Sequence, residues 1–188
     1  MNHQRIKMLT SGAMLSALFG VLGIINLYTG SLFDIVFAYV MVVFLAYYTY
    51  KYDYQAGLMV VLAAFVVLFL VGEMFFTFFT SFTLILGVFY GWCLKRQKSL
   101  RFSKYGMIIL SAIKNLVIFF VLGTLLGINV MQEGLEIYQG IIGMIPVLKN
   151  IISPEITFVL LWIIMFFCES YIIRVYSNLL IVKMMKRK

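Results

Sequence analysis

The chain has 188 residues, of which 64% are hydrophobic and only 12% are charged, with a formal net charge of +8. A soluble domain is normally about half apolar and about a quarter charged. Together with the mean hydropathy of +1.06, the composition excludes an ordinary soluble domain. It predicts an all-α, polytopic membrane protein, one domain over residues 1–188.

Six continuous apolar runs follow one another along the chain. Each is close to the roughly 20 residues that a helix needs to cross a hydrocarbon core about 30 Å thick. None alternates with a period of two, so strands are not expected. In chain order the predicted spans are Met8–Tyr28, Ser31–Tyr50, Gln55–Gly72, Met74–Leu94, Gly106–Gly127 and Ile156–Val182.

Basic residues are concentrated in every second connection along the chain. The N-terminal tail contains Arg5 and Lys7, "KYDY" after span two contains Lys51, "KRQKSLRFSK" after span four contains five Lys and Arg residues, and the C-terminus from Lys183 contains four. In the other connections Lys149 is the only basic residue. The positive-inside rule therefore predicts that both termini face the cytoplasm. Because topology accounts for the net charge, no nucleic-acid binding is inferred, although the basic loop also suits anionic lipid.

Span one contains the small-residue sequence "SGAMLSALFG". Gly12, Ala13, Ser16, Ala17 and Gly20 fall within one arc of the helix, and such stripes allow a second helix to approach closely. Two interpretations remain open: packing within the bundle, or docking onto a partner membrane protein.

Span four places polar side chains on one face, at Glu73, Thr77 and Thr80, with Ser81 beside them. In one interpretation the hydroxyls bond back to their own helix and Glu73 caps its N-terminus. In the other, this face is a polar wall of a cavity that opens to the outside.

Spans five and six contain the intramembrane charges Lys114, Glu169 and Arg174, with Asn115 beside the lysine. A charge at the bilayer centre costs about 2.5–3.5 kcal/mol on insertion scales, so such residues face the bundle interior and pair. We expect Glu169 to be shared with Lys114 or Arg174. The cluster is then either a structural clamp or the floor of a solute site, and Arg174 has the further option of extending to the cytoplasmic surface.

Known catalytic motifs are absent from the sequence: it has no Walker A, HExxH or GxSxG motif. Its one histidine and two separate cysteines predict neither a metal site nor a cofactor. We therefore expect a protein that is not an enzyme.

The layout resembles the substrate-binding S component of energy-coupling factor (ECF) vitamin transporters. The similarity lies in six spans with both termini inside, in "AMLSA" with Ala13 and Ala17 matching the AxxxA helix-interface motif, and in a short outer loop after span one and a long one, residues 128–155, before span six. The long loop is expected to form a structured cap. The end of span four, "GVFYGWCLKRQKS", is also similar to the DUF2232 group of bacterial membrane proteins.

The S-component resemblance implies a protein of the bacterial cytoplasmic membrane that captures a vitamin or vitamin precursor from outside. Its partners would be a transmembrane coupling subunit, docked on span one, and two ABC ATPases. The family layout implies a ligand bound by the outer halves of spans four to six and gated by the loop after span one. Aromatic walls with few fixed charges would suit a small heteroaromatic ligand of the pyridine or pyrimidine type. The site residues implied in this way are Asn26, Tyr28, Glu73, Thr77, Ser81, Tyr138, Trp162 and Glu169. The alternatives are a stand-alone secondary transporter or exporter, and a membrane scaffold without a ligand.

Overall fold

The computed structural model of the protein describes residues 3–125, residues 127, 132, 135, 136 and 139, and residues 154–186. Its main elements are all helices, and six of them in the described parts are long and apolar enough to cross a membrane. In chain order they are α1 His3–Tyr28, α2 Asp34–Tyr52, α3 Tyr54–Val71, α4 Met74–Lys95, α5 Leu100–Leu125 and α6 Pro154–Met185. The predicted all-α, six-span membrane architecture is confirmed, while the cytoplasmic side of the termini stays a prediction.

Side-chain contacts define two ends of the bundle. At one end, Lys95 at the end of α4 donates to the carbonyl of Tyr52 at 2.9 Å, and Tyr50 contacts Met185 at the end of α6. We call this the basic end, since it holds the Lys- and Arg-rich connections. At the opposite, far end, Ser31 after α1 contacts Glu73 before α4. The first turns of α1 and the last turns of α6 therefore lie at the same end.

Helix α4 is the centre of the bundle, packed against α2, α3 and α5. Two thirds of its most apolar window is buried (67%), against 17% for α6. Its contact with α2 is close because Gly87 and Gly91 face the α2 backbone. A Cβ built on Gly91 would lie 2.4 Å from the carbonyl oxygen of Ala46. Glycine is thus required here by the approach of two backbones.

The helix bounds differ from the predicted spans mainly at the basic end. Helix α1 begins at His3 rather than Met8, and α5 begins at Leu100 rather than Gly106. Both extensions contain Lys and Arg, which are good helix formers and do not end a helix where the apolar run ends. The cap predicted for residues 128–155 lies almost entirely outside the described residues.

Candidate solute site

A buried polar cluster lies between α5 and α6, about halfway along the bundle. The Lys114 ammonium forms an ion pair with Oε1 of Glu169, and Ser111 donates to Oε2 of the same carboxylate. Asn115 donates to this Oε2 at 3.2 Å and to the carbonyl of Ser111 at 2.9 Å. Glu169 is 1% exposed and Lys114 4%, so the cluster is closed to the lipid.

Two further helices complete the surroundings of this cluster. Lys114 lies over the ring of Phe79 of α4, 4.8 Å from its centroid, which adds a cation–π contact. Tyr39 of α2 lies close enough to Glu169 to interact with it electrostatically. Because opposite charges and three donors meet at one carboxylate, the cost of burying each charge is largely offset. Four helices are therefore joined at this one point.

Arg174 does not share this carboxylate. Its Nε donates instead to the carbonyl of Ser170 at 3.2 Å. Five residues of α-helix separate Glu169 from Arg174, which turns them about 140° apart around the axis. Of the two partners predicted for Glu169, the structure therefore selects Lys114, and Arg174 points away from the cluster.

Three aromatic rings follow the cluster towards the far end. Trp162 lies 6.1 Å from Phe119 and 5.0 Å from Phe166, measured between ring centroids. All three are partly buried. Trp162 precedes Glu169 by seven residues, which places it about 10 Å closer to the far end on the same face of α6. The seam between α5 and α6 thus places three packed aromatic rings on the far-end side of the buried Lys114–Glu169 pair.

A second polar cluster lies at the far end, where the α1–α2 turn meets the start of α4. Asn26 is buried and donates to Asp34, and Ser31 donates to the carboxylate of exposed Glu73. Glu73 is the N-cap residue of α4, but its side chain makes no capping hydrogen bond. The turn after α1 is therefore held on α4 by a side-chain contact between Ser31 and Glu73.

The polar face of α4 is packed, not open. The hydroxyl of Thr77 is fully buried and donates to the carbonyls of Glu73 (2.8 Å) and Leu68 (3.0 Å). The interpretation in which the hydroxyls bond back to their own helix is met by Thr77 through the carbonyl of Glu73. The capping role that it gave to the Glu73 side chain is wrong, because that side chain makes no capping hydrogen bond. Ser81 is also buried, and its hydroxyl has no hydrogen-bond partner among the described residues.

The remaining predicted residues are spread over the molecule. Tyr28 is 87% exposed at the far end of α1, well outside the α5–α6 seam. Tyr138 lies outside the described residues. The structure therefore brings Trp162, Glu169, Lys114 and Asn115 into one region, and Asn26 and Glu73 into another.

The small-residue stripe of α1 is divided between two surroundings. Gly12, Ser16 and Gly20 are buried in the bundle, and a Cβ on Gly20 would lie 2.5 Å from Val67 of α3. Ala13 and Ala17 are exposed. Packing within the bundle thus accounts for the first three residues, and only the two alanines remain available to a partner.

Several residues of the site have weak sequence signals. Phe119 follows Asn115 by four residues, and Phe166 follows Trp162 by four residues. This spacing places each phenylalanine on the same helix face as the site residue before it. Tyr39 had no such signal, because its position depends on how α2 packs on α6. The only sequence signal for Asp34 is the short turn after α1, which brings the start of α2 back beside Asn26.

A protein-family model described as "Predicted membrane protein (DUF2232)" matches residues 17–188. The chain belongs to the DUF2232 family. Nothing matches it among curated proteins, nor among solved structures. The DUF2232 match includes all of the buried cluster and begins at Ala17, so Gly12, Ala13 and Ser16 precede it. The similarity first noted in "GVFYGWCLKRQKS" is confirmed, while the S-component resemblance stays a prediction.

Proposed function

We propose that this DUF2232 protein binds a small solute inside the membrane and acts as the substrate-binding S component of an ECF vitamin importer. The observation that carries the proposal is the α5–α6 seam, where Trp162 and its two aromatic neighbours lie outward of the Lys114–Glu169 pair. Ionisable residues inside a membrane are expensive and usually mark a solute or ion path. Aromatic walls with a few fixed polar groups are typical of small-molecule sites.

The chemistry of this seam favours a small, flat heteroaromatic ligand of the pyridine or pyrimidine type. Trp162 offers a ring face for stacking. The buried cluster of Lys114, Glu169 and Asn115 would form the floor of the site and offer donors and acceptors to ring nitrogens and polar substituents. Since the carboxylate of Glu169 already accepts from Lys114, Ser111 and Asn115, we assign the floor the role of orienting the ligand. The rings supply most of the contact area.

The far-end cluster fits the role of a gate in this proposal. The turn after α1 is tied to α4 by the hydrogen bond between Ser31 and Glu73. That turn is short, and it reaches across the end of the bundle at which the ligand would enter. Release of this contact would free the turn without disturbing the buried cluster.

Docking on a coupling subunit is supported by the outer side of α1. Exposed Ala13 borders a shallow apolar groove of about 180 Å³ between α1 and α3, whose other walls include Met59, Val60 and Ala63. Small side chains at such a groove let a second helix approach closely. Ala17 continues the same face one turn further along α1.

The two tryptophans of the chain allow a matched test of the solute site. Trp162 lies in the seam, whereas Trp92 packs on Phe102 near the basic end. Pyridoxine, nicotinic acid and thiamine serve as probes, with intrinsic fluorescence as the signal. We expect Trp162→Phe to remove the ligand-dependent signal and Trp92→Phe to retain it. Trp162→Ala should weaken binding about tenfold or more, since stacking a base on an aromatic is worth about 1–3 kcal/mol. A signal that depends on Trp92 instead would contradict the site, and no response to any probe would contradict the ligand class.

A second experiment separates an S component from a stand-alone transporter. Ala13→Trp with Ala17→Trp is expected to abolish co-purification of a coupling subunit and Walker A-containing ATPases while ligand binding is kept. Met14→Trp with Leu18→Trp is the matched control, because these residues are also exposed on α1, at 69% and 44%, one helical turn apart. Co-purification that survives the alanine replacements would exclude docking at this face. Uptake by the purified chain alone in liposomes would favour the secondary transporter, for which the titratable Lys114–Glu169 pair supplies a proton-coupling site.

A further inference from the structure

A groove of about 490 Å³ runs along the lipid-facing side of the α5–α6 seam, on the basic-end side of the buried cluster. Lys104, in the second turn of α5, and Arg174 of α6 both line it. Its rim includes Phe167 and Tyr171, which are 53% and 62% exposed. This groove is separate from the solute site, because Arg174 points about 140° away from Glu169.

The two cations of this groove lack an anionic partner. Among the residues that the structure describes, neither Lys104 nor Arg174 has a salt bridge, and Glu169 is occupied by Lys114. One donor of the guanidinium is satisfied by the carbonyl of Ser170. The Ser170 hydroxyl, in a residue only 1% exposed that lines the groove, has no partner in the described parts of the chain. Cations and free donors at membrane depth favour an anion at this place.

The polarity of the groove matches that of a phospholipid. Lys104 lines its basic-end part, and the long side chain of Arg174 can extend towards that part from about one turn deeper. Ile108 lies one turn further into the membrane on α5, and Phe167 lies about two turns further in on α6. A phosphate on the two cations would therefore leave the acyl chains against apolar side chains. A free phosphate would make no use of the apolar part.

We propose that this groove is a binding site for an anionic phospholipid, whose phosphate is held by Lys104 and Arg174. No carboxylate is among the described residues that line the groove, so they offer no counter-ion to the ammonium group of a zwitterionic lipid. Basic pockets between transmembrane helices are suited to anionic head groups. The proposal does not rest on the solute-binding function.

Native mass spectrometry of the full chain, released from micelles with phosphatidylglycerol or phosphatidylcholine, tests the site. We expect wild-type protein to retain phosphatidylglycerol in preference to phosphatidylcholine. Lys104→Gln with Arg174→Gln should lower the affinity for phosphatidylglycerol roughly 30-fold, from the usual contribution of two membrane-proximal cations. Lys98→Gln with Arg101→Gln removes the same charge from exposed residues at the basic end that do not line the groove, and it should lower the affinity for phosphatidylglycerol less than about threefold. Arg174→Lys, which keeps the charge, should retain most of the binding.

Three outcomes would overturn the proposal. Equal losses in the two double variants would mean diffuse attraction to the basic end, with no site in the groove. Unchanged lipid retention in the Lys104 and Arg174 variant would exclude the groove altogether. Displacement of the lipid by millimolar inorganic phosphate would identify a free phosphate, not a lipid, as the ligand. Helical content and thermal unfolding of each variant in phosphatidylcholine micelles show that a loss of binding is not a loss of fold.

Discussion

Helices α2 and α4 meet through glycines, whereas α5 and α6 meet through a buried ion pair. At the first contact Gly87 and Gly91 bring two backbones together, beside the uncharged side chains of Val42 and Thr49. At the second contact Lys114 and Glu169 carry the interaction. In lipid, close packing joins helices without any polar group. A charged contact is therefore not needed to hold a pair of helices, and its presence between α5 and α6 is the reason to look for function there.

The largest effect is expected from breaking the charged contact on one side. Lys114→Met leaves the carboxylate of Glu169 buried without its counter-ion, which we expect to lower the free energy of unfolding by about 3–5 kcal/mol. Adding Glu169→Gln removes the unpaired charge and should recover a large part of this loss. Equilibrium unfolding in mixed micelles with increasing dodecyl sulfate measures both variants. A double variant as unstable as Lys114→Met alone would show that the lysine matters for packing rather than for its charge.

A smaller effect is expected from the glycine contact. Gly91→Ala places a methyl group against the backbone of Ala46 and should cost about 1–3 kcal/mol, as overpacking does. Gly106→Ala of α5 is the matched control. Its added Cβ would lie 2.5 Å from the ring edge of Phe89, a side chain that can shift. Alanine gains about 1 kcal/mol in helix propensity at both positions, and only at Gly91 does a backbone clash outweigh this gain. The same unfolding assay should therefore find Gly106→Ala close to neutral, and equal losses at the two glycines would contradict the backbone argument.

The six helices and the Lys114–Glu169 pair could be predicted from the sequence, for two physical reasons. Continuous apolar runs of membrane length leave few alternatives to a helix. Charges within them must find partners, and Lys114 lies at a depth that Glu169 can reach. The depth of a residue in the membrane did not exclude Arg174 as the partner of Glu169. The direction in which each side chain leaves its helix decides between Lys114 and Arg174.

Other parts of the site depend on which helices are neighbours, and this is not written in any one segment. The spacing of Gly12, Ser16 and Gly20 predicted a close helix contact, but it did not identify α3 as the partner inside the same chain. Likewise, the approach of Tyr39 to Glu169 follows from the packing of α2 on α6. Such pairings are set by the whole bundle, so periodicity within one helix cannot supply them.

The smallest predicted effect concerns the turn at the far end, where packing and polar contact meet. Ser31 has a φ of 61°, in the left-handed region, and its hydroxyl donates to Glu73. Ser31→Ala loses the hydrogen bond and keeps the unfavourable backbone, which should cost about 0.5–1.5 kcal/mol. Ser31→Gly loses the same bond, but it relieves a backbone penalty of about 1–2 kcal/mol. The free energy of unfolding of Ser31→Gly should therefore exceed that of Ser31→Ala by roughly that penalty. Faster amide hydrogen exchange at residues 29–33 in both variants would show that the hydroxyl holds the turn. Equal stabilities would mean that the backbone of the turn is unstrained, and slow exchange in both would remove Ser31 from the proposed gate.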